Sequence, residues 1–395
     1  MTNYPLASST WGDEERIAIQ EVLDSNNFTM GSRVAKFEDE FSKYFGVKHS
    51  VMVNSGSSAN LLAVAALMLK KDRPIRPGME VIVPAVSWAT TYYPVFQHGL
   101  ILRFVDIDPI SLNIDYALVE AAINPNTAAI FTVNLLGQPS ELEKLRKLAD
   151  KNGLYLIEDN CESMGAQLGG RFAGTWGDLG TFSFYFSHHI NTMEGGMITT
   201  NDDELYDILL SIRSHGWTRG LPAQNHVFNK TGEVWDDLFR FVLPGYNLRP
   251  IEFSAAVGSI QLSKFTEFVN MRQTNHSYFK RLFANIPQIQ IQDGKGISSS
   301  FGFAITLLDG NEETRRMIID SLEENGVETR PIVSGNFLRN PVIDKLNVIA
   351  TGSFPVAERI HTGGFFLGNH HFDITEQILS AFQVLKQSLL EIGNM

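Results

Sequence analysis

Cysteine is almost absent: among 395 residues Cys161 stands alone. One thiol excludes an intrachain disulfide, a cysteine-ligated iron–sulfur cluster and a four-cysteine zinc site. No apolar run approaches the ~20 residues of a membrane span. The start, Met1-Thr2-Asn3-Tyr4-Pro5, has no basic stretch leading into an apolar one. No signal peptide is therefore expected, and the chain reads as cytoplasmic. Positive charge is scarce. The 32 Lys and Arg are outnumbered by 44 Asp and Glu, for a net charge of -12, and basic runs stay as short as Lys70-Lys71-Asp72-Arg73. That argues against a nucleic-acid surface, and the acidic excess bears on solubility rather than fold. Lysine is missing altogether between Lys151 and Lys230, where the motifs are densest.

Apolar residues make up 44% of the chain, enough for a substantial core. After two helical patterns (12–23 and 32–45), joined by a loop at 24–31 that reads as plain connection or as a lid, a strand–helix beat begins. Strands are expected at 51–53, 80–84, 102–107, 128–133, 154–157, 181–186 and 196–199. Helices are expected at 58–69, 87–98, 116–122, 140–152 and 203–214. Such alternation predicts an α/β fold with a mainly parallel sheet covered on both faces. Ligands of such sheets bind beyond the carboxyl ends of the strands. Residues 217–246 are loop-like, a long helix is expected at 251–275, and a smaller α+β unit follows. We therefore expect an N-terminal arm and large domain over 1–250, and a connecting helix and small C-terminal domain over 251–395.

Residues 180–196 form the most unusual stretch. An aromatic strand around Ser183 runs into Ser187-His188-His189-Ile190 and then Met193-Glu194-Gly195-Gly196. Adjacent histidines point in different directions, so one at most faces a given site; His189 is expected to be structural. Four further constellations fall at strand ends or helix starts. Ser55-Gly56-Ser57-Ser58-Ala59 lies between a strand and a helix, as a phosphate site or a plain cap. Glu158-Asp159-Asn160-Cys161-Glu162 closes an apolar strand with carboxylates, which could serve a ring nitrogen, a metal or only solvent. Trp88, after Val83-Pro84, could stack on a flat ligand or pack in the core. Gly245-Tyr246-Asn247-Leu248-Arg249 opens the long helix.

In this order and spacing the motifs resemble the sugar aminotransferase and dehydratase family of fold-type I pyridoxal-phosphate enzymes, over roughly residues 5–390. That family carries a Ser-Gly-small-small-Ala turn, an aromatic after Val-Pro, Glu-Asp at a strand end, Ser-Phe followed by a lysine, Glu-Gly-Gly, and Gly-Tyr-Asn-x-Arg. The resemblance implies an aspartate-aminotransferase-like large domain with a mostly parallel seven-stranded sheet. It implies pyridoxamine or pyridoxal 5'-phosphate as cofactor. Gly56, Ser57 and Ser183 would hold its phosphate, with Asn247 of a second subunit of a homodimer completing the cup. Asp159 would pair with the ring nitrogen and Trp88 would cover one ring face.

One departure stands out. The family's cofactor-binding lysine should fall where His188 stands, and no other lysine is near in sequence. The cofactor would then be bound non-covalently, with an imidazole moving protons where an amine is usual. Within the family a histidine here is similar to 3-dehydratases of nucleotide-linked keto-sugars. One kind needs an iron–sulfur cluster, excluded by the lone Cys161. The other acts on GDP-4-keto-6-deoxy-D-mannose, with L-glutamate restoring the cofactor's amine; Ser187–Ile190 and Thr192–Gly196 resemble it. Its likeness implies His188 as the catalytic acid–base. Glu162 stays open between contact with the ring hydroxyl and contact with His188. His215, Arg219, Arg249 and Arg330 are candidates for binding the diphosphate or the glutamate carboxylates. Two rival readings stand beside this one: a nucleotide-sugar aminotransferase with an unusual base, and a non-catalytic nucleotide-sugar- or cofactor-binding regulatory protein.

Overall fold

The computed structural model describes residues 3–393. Its strands in chain order are β1 (His49–Val53), β2 (Glu80–Pro84), β3 (Ile101–Val105), β4 (Thr127–Val133), β5 (Tyr155–Asp159), β6 (Gln167–Leu168), β7 (Arg171–Phe172), β8 (Leu179–Ser183) and β9 (Gly196–Thr200). These are followed by β10 (Ile289–Ile291), β11 (Gly302–Leu307), β12 (Thr329–Arg330), β13 (Val348–Ala350) and β14 (Gly364–Gly368).

The large sheet has eight strands in the order β1-β9-β8-β5-β4-β2-β3-β13. From β8 to β13 every pairing is parallel, and β9 runs against both of its neighbours. The expected count of seven is corrected by β13, which comes from the C-terminal part of the chain and pairs Val348 with Leu102 and Ala350 with Phe104. Three residues are too few to show a period, so this strand has no sequence signature. The strands from β9 to β2 are buried on both faces, as a parallel sheet under helices must be, and the β3–β13 edge is more open.

A second correction concerns the aromatic strand. β8 ends at Ser183, paired with Gly196 of β9. Beyond it Phe184 N–H donates to Gly195 O at 2.9 Å and its carbonyl accepts from Thr192 N–H at 3.0 Å. The chain thus closes a loop, and Tyr185 and Phe186 stand exposed instead of extending a buried strand. Phe182 and Phe184 anchor the base of the loop among Phe37, Phe41 and Phe45, with Phe41 meeting Phe182 edge-on at 5.1 Å between centroids. Such ring pairs add about 0.5–1.5 kcal/mol beyond their buried area.

The loop at 24–31 is a fixed connection. The Glu252 carboxylate accepts from the backbone N–H groups of Gly31, Arg33 and Val34 at 2.8, 3.0 and 3.1 Å. A carboxylate from a distant helix thereby caps helix Ser32–Phe45, satisfying N–H groups that its own Gly31 cap cannot. Helix Glu252–Phe283 leads into a four-stranded antiparallel sheet in the order β10-β11-β14-β12. Helices Glu312–Glu324 and Thr375–Gly393 bury Ile318, Leu322, Ile378 and Leu385 in the same core as Ile305 and Phe365 of that sheet. Among the described residues no helix is long and apolar enough to cross a membrane.

Candidate active site

A cavity of about 660 Å³ opens where β1, β2, β4, β5 and β8 end. Those carboxyl ends lie on one edge of the sheet, and the small antiparallel sheet faces them. The volume suits a cofactor with a substrate beside it.

The first part of the wall is a helix start. Helix Gly56–Leu69 begins directly after β1, and the Ser55 hydroxyl caps it by accepting from Ser58 N–H at 3.1 Å. Gly56 and Ser57 line the cavity with the helix's free N–H groups. Gly56 is a glycine for lack of room, since a Cβ there would sit 2.5 Å from Ser183 Cβ and 3.0 Å from Cys161 Sγ. Across the same gap a Cβ on Gly196 would lie 2.4 Å from Ser55 O. The two glycines let β8, β9 and the helix start close together, with the Ser183 side chain beside the helix N-terminus. The result is an anion cradle with backbone donors and a positive dipole end.

The carboxylates after β5 divide their work. Glu158 is buried and binds the backbone N–H groups of Gly174, Trp176 and Gly177 at 2.7, 2.6 and 2.7 Å. It fixes a loop and does not line the cavity. Asp159 lines it, one strand position on and hence on the other side. Asp159 Oδ2 accepts from Asn60 Nδ2 and Thr91 Oγ1, each at 2.8 Å, and Oδ1 from Cys161 N–H at 3.2 Å. Thr91 meets Ser87 at 2.8 Å, and Asn60 Oδ1 accepts from the Thr181 hydroxyl at 2.6 Å. The aspartate is therefore held in one orientation by groups that are themselves held. Glu162 also faces the cavity, with Oε2 accepting from Leu136 N–H at 3.0 Å. Burial raises its pKa to about 7, with the nearby Asp159 charge acting in the same direction.

The two histidines point apart, as expected. His188 lines the cavity, its ring edge-on to Phe301 at 5.3 Å and to Tyr185 at 6.0 Å. Its Nδ1 is buried without a hydrogen-bond partner among the described residues. Burial, assisted by the charge of Arg272, pushes its pKa down to about 4, so the imidazole is neutral near pH 7 and free to accept a proton. His189 faces the core, where Nε2 meets Ser299 O at 3.1 Å. Non-glycine residues in the left-handed region surround the site: Leu136 at φ 50°, Met193 at 68°, Ser300 at 48° and Val333 at 47°. Strain of this kind gathers where geometry serves a ligand.

Of the residues singled out from sequence, Gly56, Ser57, Trp88, Asp159, Glu162, Ser183, His188 and Arg330 line this one cavity. Trp88 precedes helix Ala89–Gln97 and is 59% exposed, so it is not core. Arg330 sits on the opposite wall, and among the described residues its guanidinium is bonded only to its own neighbour's carbonyl, Thr329 O, at 2.7 Å. His215, Arg219, Asn247 and Arg249 do not line the cavity. Their segment packs beside β1, where Leu248 O accepts from Asn54 N–H at 3.1 Å. Arg249 Nε donates to Asn247 Oδ1 at 3.0 Å, and Arg219 lies over the Trp217 ring at 5.4 Å. Within one chain these four therefore present themselves to the outer surface. Sequence reasoning missed Asn60, Thr91, Leu6, Phe301 and Phe366. Asn60 carried a signal, as a lone amide immediately before the apolar run Leu61–Leu69; the others carried none.

The donor set fits a phosphorylated aromatic cofactor. There is a cradle that a Cβ would fill, a fixed carboxylate for a ring nitrogen, an aromatic at the rim and an imidazole in the wall. Among the described residues no group of His, Cys, Asp and Glu could hold a metal ion.

Comparison with known proteins agrees with this geometry. Residues 10–380 match the model of the DegT/DnrJ/EryC1/StrS aminotransferase family. The chain is 51% identical to GDP-4-keto-6-deoxy-D-mannose 3-dehydratase of Yersinia pseudotuberculosis, over 98% of this chain and 99% of that protein. It superposes with a TM-score of 0.95 on the E. coli GDP-4-keto-6-deoxy-D-mannose-3-dehydratase with bound hydrated PLP, at 48% identity and covering 98% of this chain and 100% of that one. The TM-score is again 0.95 for a GDP-4-keto-6-deoxymannose-3-dehydratase with a trapped PLP-glutamate geminal diamine, at 47% identity over 97% and 100%.

Proposed function

The chain belongs to the DegT/DnrJ/EryC1/StrS aminotransferase family, and from that premise we propose that it is a pyridoxal/pyridoxamine-phosphate-dependent 3-dehydratase. It removes the C3 hydroxyl of GDP-4-keto-6-deoxy-D-mannose, with L-glutamate restoring the amine of the cofactor. Per turnover, sugar and glutamate give a sugar lighter by one oxygen atom, 2-oxoglutarate and ammonia. The observation that carries the reading is His188, an imidazole in the cavity wall at the position where the aminotransferases that the motifs resemble carry a lysine.

When bound, the cofactor supplies an amine for the C4 ketone and a ring that accepts electrons. The helix start at Gly56 and Ser57, with Ser183, binds the phosphate and sets the depth of the ring. Asp159, fixed by Asn60, Thr91 and Cys161 N–H, accepts a hydrogen bond from the ring nitrogen and keeps it protonated. Trp88 covers one face and excludes water there. Glu162, with Oε2 tied to Leu136 N–H in the cavity wall, would be available to the ring hydroxyl or to His188. His188, neutral at working pH, takes a proton from the carbon bearing the cofactor's amine and returns one to the departing C3 hydroxyl. An imidazole at 188 cannot bond covalently to the cofactor, so this chain would leave the cofactor's amine free for the sugar ketone. Arg330 is the cation available on the far wall for a carboxylate or the diphosphate.

The protein acts as a homodimer. Trp235, Phe239 and Phe241 of the 217–249 segment, and Tyr185 and Phe186 of the His188 loop, are exposed apolar side chains. A second copy would cover them and bring its Asn247 to the phosphate cup, with His215, Arg219 and Arg249 near the same rim. Sedimentation tests this directly: a Trp235→Ser, Phe239→Ser variant should run as a monomer, and an unchanged dimer would remove the argument.

The decisive assay incubates the protein with GDP-4-keto-6-deoxymannose, cofactor and glutamate. Ammonia release with loss of one oxygen from the sugar is the expected result. A stable amino sugar without ammonia would favour the aminotransferase reading, and binding without turnover would favour the regulatory one.

A further inference from the structure

The chain before the first helix has almost no regular structure, yet it is fastened at intervals from Tyr4 to Trp11. The Tyr4 backbone donates to Gly326 O at 2.9 Å and accepts from Glu328 N–H at 3.0 Å, while its hydroxyl donates to Gly368 O at 2.7 Å. Leu6 N–H donates to Glu328 Oε2 at 3.0 Å. The carbonyl of Leu6 lies so close to the end of β14 that a Cβ on Gly368 would stand 2.3 Å from it. Farther on, the Thr10 hydroxyl meets the buried Gln261 at 2.5 Å, and Trp11 Nε1 donates to Asn191 O at 2.9 Å. Asn191 belongs to the loop that carries His188.

His370 is the centre of this fastening. Its Nε2 meets Pro5 O at 2.9 Å and its Nδ1 meets Ser8 Oγ at 2.7 Å. A carbonyl only accepts, so Nε2 carries the hydrogen, Nδ1 accepts and the Ser8 hydroxyl donates. The two bonds bracket Leu6, which lines the active-site cavity beside Phe301, Arg330 and Phe366. Burial pushes the imidazole down to about 4, so this neutral tautomer persists at working pH.

We propose that the arm from Tyr4 to Trp11 is a strap across the mouth of the cavity, that Leu6 is its contact with the sugar substrate, and that His370 is a positioning residue that holds Leu6 there. The strap spans both walls, from the small sheet at Gly368 to the His188 loop at Asn191. Substrate binding, and not proton transfer, is the step it serves. The substrate part of this inference rests on the function proposed above; the closure of the cavity does not.

Cys161 allows the two to be separated, because the lone thiol lines the same cavity. Its rate of modification by a bulky aromatic disulfide reports opening of the cavity whatever the substrate is. In His370→Phe, which keeps a ring and loses both nitrogens, labelling should accelerate about tenfold and amide exchange over residues 4–11 should rise likewise. KM for the GDP-keto-sugar should increase about tenfold with little change in kcat or in cofactor affinity. His370→Gln, which restores an N–H donor, should recover most of both effects. Leu6→Ala should raise KM similarly with the arm's exchange unchanged. Unaltered KM and labelling in both His370→Phe and Leu6→Ala would overturn the proposal. If the wild type turns over no such sugar while labelling still accelerates, the strap stands and the assigned substrate falls.

Discussion

The cavity has two walls, and they are built in different ways. On the sheet side, the carboxylates and Ser183 are gripped by their neighbours, and the His188 ring is held between Phe301 and Tyr185. Asp159 accepts from Asn60, Thr91 and Cys161 N–H, Glu162 is tied to Leu136, and Ser183 is wedged against Gly56. On the facing side stand Leu6, Phe301, Phe366 and Val333, with Arg330 as a cation bonded, among the described residues, only to Thr329 O. A wall of interlocked hydrogen bonds sets one geometry and suits chemistry on a constant cofactor. A mostly apolar wall with a single loosely held charge suits ligands that come and go, as the proposed nucleotide sugar and glutamate would. The comparison makes a specific claim: damage to the sheet wall should appear in kcat or cofactor affinity, and damage to the facing wall in substrate KM.

His188→Asn tests it most severely. Loss of one acid–base group typically removes ~10²–10⁴ of rate. Sugar dehydration should fall by about that factor, with cofactor affinity measured by absorbance titration unchanged. Near-wild-type turnover would remove His188 from its proposed role.

Arg330→Gln probes the other wall. A charge-assisted hydrogen bond contributes about 1.5–3 kcal/mol, so KM for glutamate or for the sugar nucleotide should rise about 10- to 100-fold. Which of the two moves identifies the ligand of Arg330. A loss of cofactor affinity instead would mean that the two walls are not separable.

These walls differ too in how far the residues foretold them. The sheet wall was readable because each of its parts is local. Ser55-Gly56-Ser57, Glu158-Asp159 and the stretch from Ser183 to His188 are short motifs at strand ends, and the parallel sheet collects strand ends on one edge. Even there, composition could not separate the buried loop anchor Glu158 from the cavity-facing Asp159; strand alternation did so only once β5 was known to end at Asp159. The facing wall joins residue 6 to residues 301, 330 and 366, positions that no local period connects. The exposed Tyr185 and Phe186 mimicked strand residues because aromatics favour strands and exposed rims alike. The eighth strand was too short to announce itself.

Thr91→Val takes one donor from Asp159 while keeping the side chain's volume. Cofactor affinity should drop about tenfold, the lower end of a bond to a charged group, with the substrate KM values unchanged. Titration of the cofactor into the stripped protein measures it. An effect on KM alone would mean that Asp159 is held well enough without Thr91 and that the gripping of the sheet wall has been overstated.

Glu162 gives the smallest expected effect and the most specific sign. Burial raises its carboxyl to about 7, so the folded protein holds this proton more tightly than the unfolded chain does. Stability from that preference is complete below the unfolded carboxylate range near ~4.3, declines as pH climbs toward about 7, and is gone above it. Glu162→Gln removes the titration, and its amide oxygen can still accept from Leu136 N–H. The melting temperature of the wild type relative to this variant should therefore fall by about 2 °C between about pH 5 and about pH 8, in calorimetry without added cofactor. A difference that stays flat would mean that Glu162 titrates like a solvated surface carboxylate. It would then be a rim residue, and the gripped wall would end at Asp159.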